Sequence, residues 1–415
     1  MRRRDFIQNL IITALAVSAL FLFSRTQFFQ LGTAAGGGGY LRRITAPVGS
    51  SPSDTALSDS LSAPVRTAVT GAYGRYADIA MTTGDEGFIP VKTLLREVLG
   101  SDRNRTGSSQ AAFLDALDKA SVYCDFLSPL PASYLAELMG IRVDSALSVR
   151  ALTAAEEAGQ VVLFLWDGGG NYYRCDTAAQ VSALTEVQDH FELGVSSFAF
   201  EEAGGSRLAP LSLFPDPLPE LPQLTAAETS IPAETLLAAL SFNPHTNSRY
   251  QDAGGAEVIV EGDRVIRIAA SGAFSYTSGG EAALTVSAAG DIPTVPEAVV
   301  GVQSLLDSLL PEGEARLYLL SFRQEGGETV LTFGYHLEGV PIRFADTAAA
   351  AEVTLSGRAV SSLTMRPRQY TSGGSASLLP LRQAEAIAER TAGAELSVGY
   401  ADTGTYPLSA VWLAD

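Results

Sequence analysis

Cysteine and histidine, the usual metal ligands and nucleophile–base partners, number only two and three in these 415 residues, and they stand far apart. The two cysteines, Cys124 and Cys175, fall in strand-like segments of one stretch. They admit either a disulfide, which an extracytoplasmic setting permits, or two buried thiols. On neighbouring strands their Cα atoms would come within the roughly 4.4–6.8 Å that a bridge needs. His190, His245 and His336 are scattered, and with two cysteines they make no standard structural zinc set. His336 sits mid-strand in Phe333-Gly334-Tyr335-His336-Leu337 and reads as a hydrogen-bonded structural histidine. The acid pairs Glu156-Glu157 and Glu201-Glu202 border loops and read as solvated surface. A glycosidase needs two carboxylates at a set separation, and no spacing here specifies such a pair. The chain has no H-E-x-x-H, G-x-S-x-G, P-loop, C-x-x-C or post-strand G-x-G-x-x-G. Its glycine clusters at 168–170, 254–255, 279–280, 326–327 and 373–374 read as hairpin turns. The expectation is a protein that is not an enzyme, with no catalytic residues, cofactor or metal.

The strongest signal lies instead at the start of the chain. Residues 6–23 contain only four polar side chains (Gln8, Asn9, Thr13 and Ser18), and a helix of this length spans most of a bilayer core of about 30 Å. Arg2, Arg3 and Arg4 precede it, and the positive-inside rule places them in the cytoplasm and the rest of the chain outside. A cleaved leader shares the basic start and apolar run. Residues 10–23 are long for one, however, and no small-x-small site follows before the glycines, so the reading is a retained single-pass anchor in the cell membrane. Ala14 and Ser18 are small residues four apart on one face of that helix, suited to close contact with another membrane helix.

Net charge is −18, and it is unevenly placed. The first 43 residues hold six arginines and one acid, leaving 22 basic and 45 acidic residues beyond them, a net −23. So acidic a surface repels phosphate backbones, which excludes nucleic acid as a partner. At 46% hydrophobic and 18% charged, the chain has ample material for a folded core.

Five segments follow from composition and periodicity. Residues 1–32 form the cytoplasmic arginine tail and anchor, and 33–63, rich in Gly, Ser, Ala, Thr and Pro, a flexible linker with a reach of roughly 30 Å. Residues 64–206 read as an α+β domain. Strands are expected at 65–70, 72–81, 121–127 and 161–166. Helices are expected from 90 to a stop at Gly100, from 108–109 to 120, and from a Pro-Leu-Pro lead-in to 139. Six prolines between 207 and 232 argue against sheet or helix there and mark a semi-rigid connector. Residues 233–415 read as a second α+β module, two runs of a helix followed by a strand meander. The helices of this module are placed at 233–240, 294–310 and 380–392. The fold class is therefore α+β: an N-terminal transmembrane helix and a multi-domain ectodomain of antiparallel sheets, each covered by helices.

Several motifs resemble those of a known family. Pro64-Val65-Arg66-Thr67-Ala68-Val69, the run from Val122 to Pro131 and Tyr172-Tyr173-Arg174-Cys175 are similar to the first extracytoplasmic domain of YycH-like proteins. Leu240-Ser241-Phe242-Asn243-Pro244-His245, Ser271-Gly272-Ala273-Phe274-Ser275-Tyr276 and the run from Tyr335 to Ile342 resemble the YycH/YycI C-terminal module. The resemblance implies a single-pass protein of Gram-positive bacteria with an α+β ectodomain. It further implies association with the sensor histidine kinase of the cell-wall two-component system (WalK, also called YycG). It supplies no catalytic residues, and it admits a homologous YycI- or YycH-type protein as a second partner. The function expected is thus a non-enzymatic, membrane-anchored regulator of that kinase. Alternatives are an anchored envelope-binding or scaffold module and, after it, an anchored hydrolase.

Overall fold

The computed structural model describes residues 47–48, 61–71, 74–78, 81–143, 147–192, 194, 196–201, 208–209, 211–214, 220–227, 231–279, 284–310, 313–347, 349–388 and 395–414. The anchor expected at 6–23, with Arg2, Arg3, Arg4, Ala14 and Ser18, lies outside the described residues, as does most of the 33–63 linker. Inside that linker, β1 (Pro47–Val48) is not a free tether, because it pairs in parallel with residues 285–286. No helix among the described residues is long and apolar enough to cross a membrane.

The first sheet contains β2 (Arg66–Gly71), β3 (Gly74–Asp78), β4 (Arg103–Ser108), β5 (Ser121–Pro131), β6 (Ser148–Glu157), β7 (Gln160–Trp166) and β8 (Tyr172–Asp176). Its order is β3-β2-β5-β6-β7-β8-β4, with antiparallel neighbours throughout. The helices interleaved with these strands are α1 (Phe88–Gly100), α2 (Gln110–Leu117), α3 (Ala132–Leu138) and α4 (Val181–Gln188). The near-continuous apolar run of β7 follows from burial on both faces. Val161, Leu163 and Leu165 join the core containing Val91, Leu94 and Leu95 of α1, while Val162 and Phe164 pack with Phe113, Ala116 and Leu117 of α2. Ser109 caps α2, its hydroxyl accepting from the Ala112 N–H at 3.2 Å.

The proline-rich stretch departs from expectation. β9 (Ser197–Phe198) pairs with β10 (Leu213–Phe214), and β11 (Glu220–Ala227) runs antiparallel to residues 369–377. Proline did not prevent a strand because this is a two-stranded ribbon, and the register slips immediately after Pro222, opposite Ser375. Ribbon edges and bulges are where a residue without an N–H is tolerated.

The remaining elements are α5 (Ala233–Ala239), β12 (Ser248–Gln251), β13 (Glu257–Glu261), β14 (Arg264–Ile268), β15 (Phe274–Ser278), β16 (Thr285–Val286) and α6 (Val295–Leu309). They continue with β17 (Arg316–Glu325), β18 (Glu328–Leu337), β19 (Val340–Phe344), β20 (Ala351–Ser356), β21 (Ala359–Met365) and β22 (Gln369–Ser377). The last are α7 (Leu381–Ala388), β23 (Leu396–Asp402) and β24 (Ala410–Ala414). The two expected helix-plus-meander runs share one sheet, in the order β12-β13-β14-β15-β21-β20-β18-β19-β23-β24 with β17, β16 and β1 branching from it. The long β18 welds them: residues 328–333 pair with β20 and residues 335–337 with β19. The β19–β23 pair is parallel, an exception to the antiparallel expectation. Thr294 and Glu297 form a reciprocal capping box on α6, worth about 1 kcal/mol, and Val299, Val302, Leu306 and Leu309 form its buried stripe. Gly373 and Gly374 were expected in a turn. They lie within β22, beside the slip with β11.

Residues 47–415 pack as one compact unit, and one apolar core runs through both halves, from Val91 and Leu135 to Leu306 and Phe333.

Candidate functional site

The two sheets meet where β5 approaches β17, and the sequence around Asp125 explains how. β5 and β6 lose register between Asp125 and Leu130, so β5 bulges out of its sheet. Leu127 adopts φ 61°, and the Asp125 carboxylate holds it there by accepting the Leu127 N–H at 2.7 Å. The bulge carries Ser128 to β17, where its hydroxyl donates to the Leu319 carbonyl. A second stitch crosses the same junction, Arg66 Nε of β2 donating to the Gly339 carbonyl.

Gly339 belongs to the two-residue turn Glu338–Gly339 joining β18 to β19, and both residues have positive φ, 47° and 77°. That is the primed turn whose twist suits a tight hairpin. His336 fixes it from below, its Nδ1 accepting the Gly339 N–H at 3.2 Å. The imidazole is therefore the Nε2-protonated neutral form. Burial, with Arg316 and Arg66 nearby, holds its pKa down to about 3.

A cleft of about 620 Å³ opens beside these stitches. Arg66, Asp125, Arg150, Tyr172, Tyr318, Arg343 and Glu395 supply its charged and phenolic groups, and Leu127, Trp166, Leu211 and Val398 are among its apolar ones. Arg66 is 6% exposed and Asp125 3%. Burial lowers the Arg66 pKa, with Asp125 opposing, and the group remains a cation at any physiological pH. Arg150 stacks on Trp166, its guanidinium carbon 4.9 Å from the ring centroid, and its Nε is 3.9 Å from Asp125 Oδ1. Tyr318 stands between Arg343, Arg150 and Arg66. Burial raises its phenol's pKa and the three guanidinium groups pull it back. Its ring rests on Gly334 of the paired strand, where an added Cβ would come within 2.9 Å of Cε1. On its other side Tyr318 lines a second cleft of about 590 Å³ with His336, Tyr134 and Arg316.

Sequence reasoning singled out none of these residues as a site. The available signal was a charge inside an apolar strand: Arg66 in Pro-Val-Arg-Thr-Ala-Val and Asp125 in Val-Tyr-Cys-Asp-Phe-Leu, where buried charges demand a reason. The cysteines are elsewhere. Cys124 on β5 and Cys175 on β8 are buried free thiols, separated by β6 and β7. Three inter-strand steps of about 4.8 Å exceed the span of a disulfide, so the bridge considered above does not form. Burial raises both thiol pKa values, Cys124 the further. Among the described residues no group of three or more His, Cys, Asp or Glu side chains is gathered as metal ligands would be.

No family model and no curated protein matches the sequence. The crystal structure of YycH from Bacillus subtilis matches in three dimensions, with a TM-score of 0.52 over 86% of this chain and 94% of that one, at 12% identity. The chain has a YycH-like fold. At such low identity the likeness to YycH is one of architecture, and it takes in nearly the whole YycH chain.

Proposed function

We propose that this protein is a non-enzymatic, membrane-anchored extracytoplasmic regulator of a two-component sensor histidine kinase that controls cell-wall metabolism. The YycH-like fold carries this reading, because the likeness extends over 86% of the chain instead of one common module. The motif resemblance points the same way, to a WalK-type kinase as partner and to a YycI- or YycH-type protein beside it. In this reading residues 6–23 anchor the chain with Arg2, Arg3 and Arg4 in the cytoplasm, and the Ala14/Ser18 face packs on a kinase membrane helix.

Two measurements test the proposal. A topology reporter fused after Asp415 is expected to be active only outside the membrane. Reciprocal affinity purification from solubilised membranes is expected to recover the kinase with this protein and this protein with the kinase. Recovery of neither partner in either direction, with both proteins present in the membranes, would overturn it.

A further inference from the structure

We propose that the cleft between the two sheets is a binding site for an organic monocarboxylate, its oxyanion seated on Arg66 and Arg150 and its apolar body on the Trp166 side. This assignment stands whether or not a kinase is the partner.

Charge is the first argument. In a chain of net −18, the cleft gathers three arginines against two carboxylates, Asp125 and Glu395. Arg66 and Arg150 share one loose counter-ion: Asp125 lies 3.9 Å from Arg150 Nε, and among the described residues no carboxylate lies within 4 Å of the Arg66 guanidinium. Charges withdrawn from water are normally paired, since removing hydration costs several kcal/mol per ion. A bound anion supplies the missing pair.

Hydrogen-bond demand is the second. Arg150 Nε and the Trp166 indole N–H are both buried without an acceptor. Beyond its bond to Gly339, the Arg66 fork makes no further hydrogen bond among the described residues. Groups of this kind only donate, so the complement is a species that only accepts. A carboxylate does this, and the planar guanidinium fork matches it two bonds at a time.

The lining selects within that class. Net charge of the lining is +1, and Asp125 and Glu395 repel a second negative charge, which favours a monoanion over a phosphate monoester. Leu127, Leu211 and Val398 with the stacked Trp166–Tyr172 pair (centroids 6.2 Å apart, planes at 12°) offer apolar surface for the rest of the ligand. A volume of about 620 Å³ is of the size that holds small ligands. Either a free organic acid or the C-terminal end of a peptide presents this chemistry.

The test uses the full chain purified in detergent, with Trp412→Phe so that Trp166 is the remaining tryptophan and its fluorescence reports the cleft. N-acetyl-Leu-Leu, its C-terminal amide, phenylacetate and phenyl phosphate are titrated by fluorescence and calorimetry. Saturable binding of N-acetyl-Leu-Leu without binding of the amide supports the proposal. Comparable binding of phenylacetate identifies a free acid as the source, and a preference for the dipeptide identifies a peptide end. Arg150→Gln is expected to weaken binding at least about tenfold with an unchanged melting curve. Arg66→Lys, which keeps the charge and loses the fork, is expected to weaken it less. Equal binding of acid and amide, tighter binding of phenyl phosphate, or no binding of either carboxylate up to about 10 mM by the folded protein would overturn the assignment. No kinase is present in the assay, so its failure leaves the regulatory reading untouched.

Discussion

Two buried carboxylates in this molecule sit in opposite kinds of surroundings. Asp402, at the end of β23, is saturated. Tyr370 donates to it at 2.6 Å, Tyr406 at 3.1 Å and the Gly404 N–H at 2.8 Å, while Arg368 Nε lies 3.5 Å away without a formal hydrogen bond. Burial and the carboxylate together raise both phenols, Tyr406 to about 12. Asp125, at the junction of the sheets, accepts the Leu127 N–H and a long 3.4 Å contact from Tyr123, and beside it two arginines face open space. A network whose donors and acceptors balance locks strands together. One with surplus donors around a cleft suits the anion proposed above, and stability is commonly what such sites give up.

The sharpest way to break the comparison is Asp402→Ala. Two phenols, an amide and Arg368 would lose their common acceptor, and a loss of about 3–5 kcal/mol in denaturant unfolding is expected. Carboxylate binding in the cleft should persist in the protein that remains folded. A cost below 1 kcal/mol would show that the knot is not structural.

A pH titration of stability probes the turn that Arg66 grips. His336 has an ordinary pKa near 6.5 when unfolded and about 3 when folded, so the unfolded chain binds the extra proton between these values. Its contribution is complete above pH 6.5 and declines as pH falls towards 3, by about 1.4 kcal/mol per pH unit at most. Replacing it by Gln, which retains an acceptor for the Gly339 N–H, should flatten that part of the profile.

Gly334→Ala is expected to cost about 1–3 kcal/mol, because a methyl group there collides with the Tyr318 ring. The displaced ring should also alter carboxylate binding, which separates this variant from an ordinary overpacked core.

The smallest effect sharpens the contrast most. Arg150→Gln should change stability by less than about 1 kcal/mol, since its ion pair is loose and partly exposed, and relief of Arg66 offsets part of the loss. Arg368→Gln, beside the saturated carboxylate, should cost more.

Much of this architecture was legible in the chain. The α1 stripe of Val91, Leu94, Leu95 and Val98, the helix start at Thr294, and the strands at 340–344 and 359–365 all follow local rules that tertiary contacts did not override. Other elements obeyed long-range rules. β6, the middle strand of the first sheet, reads Ser-Val-Arg-Ala-Leu-Thr-Ala-Ala-Glu-Glu, and alanine is a poor advertisement for a strand. Small residues are needed there because helices crowd both faces: Ala154 belongs to the core with α1, and Ala151 and Ala155 to the core with α2. β22 contains Ser-Gly-Gly-Ser and forms only because β11 lies beside it. The cleft was invisible for the same reason. Its charged residues come from β2, β5, β6 and β19 and from Glu395, with Tyr318 from β17, and only the meeting of two sheets brings them together.

The central claim, that this YycH-like chain regulates a sensor kinase from outside the membrane, is tested most directly by reconstitution. The kinase of the same cell's wall-controlling two-component system would be placed in vesicles alone, with the full chain, and with a chain whose Ala14 and Ser18 are both replaced by Leu. The account predicts that the full chain changes the autophosphorylation rate and that the double variant, still inserted, does so less. An autophosphorylation rate identical with and without the full chain, at matched and verified insertion, would contradict it.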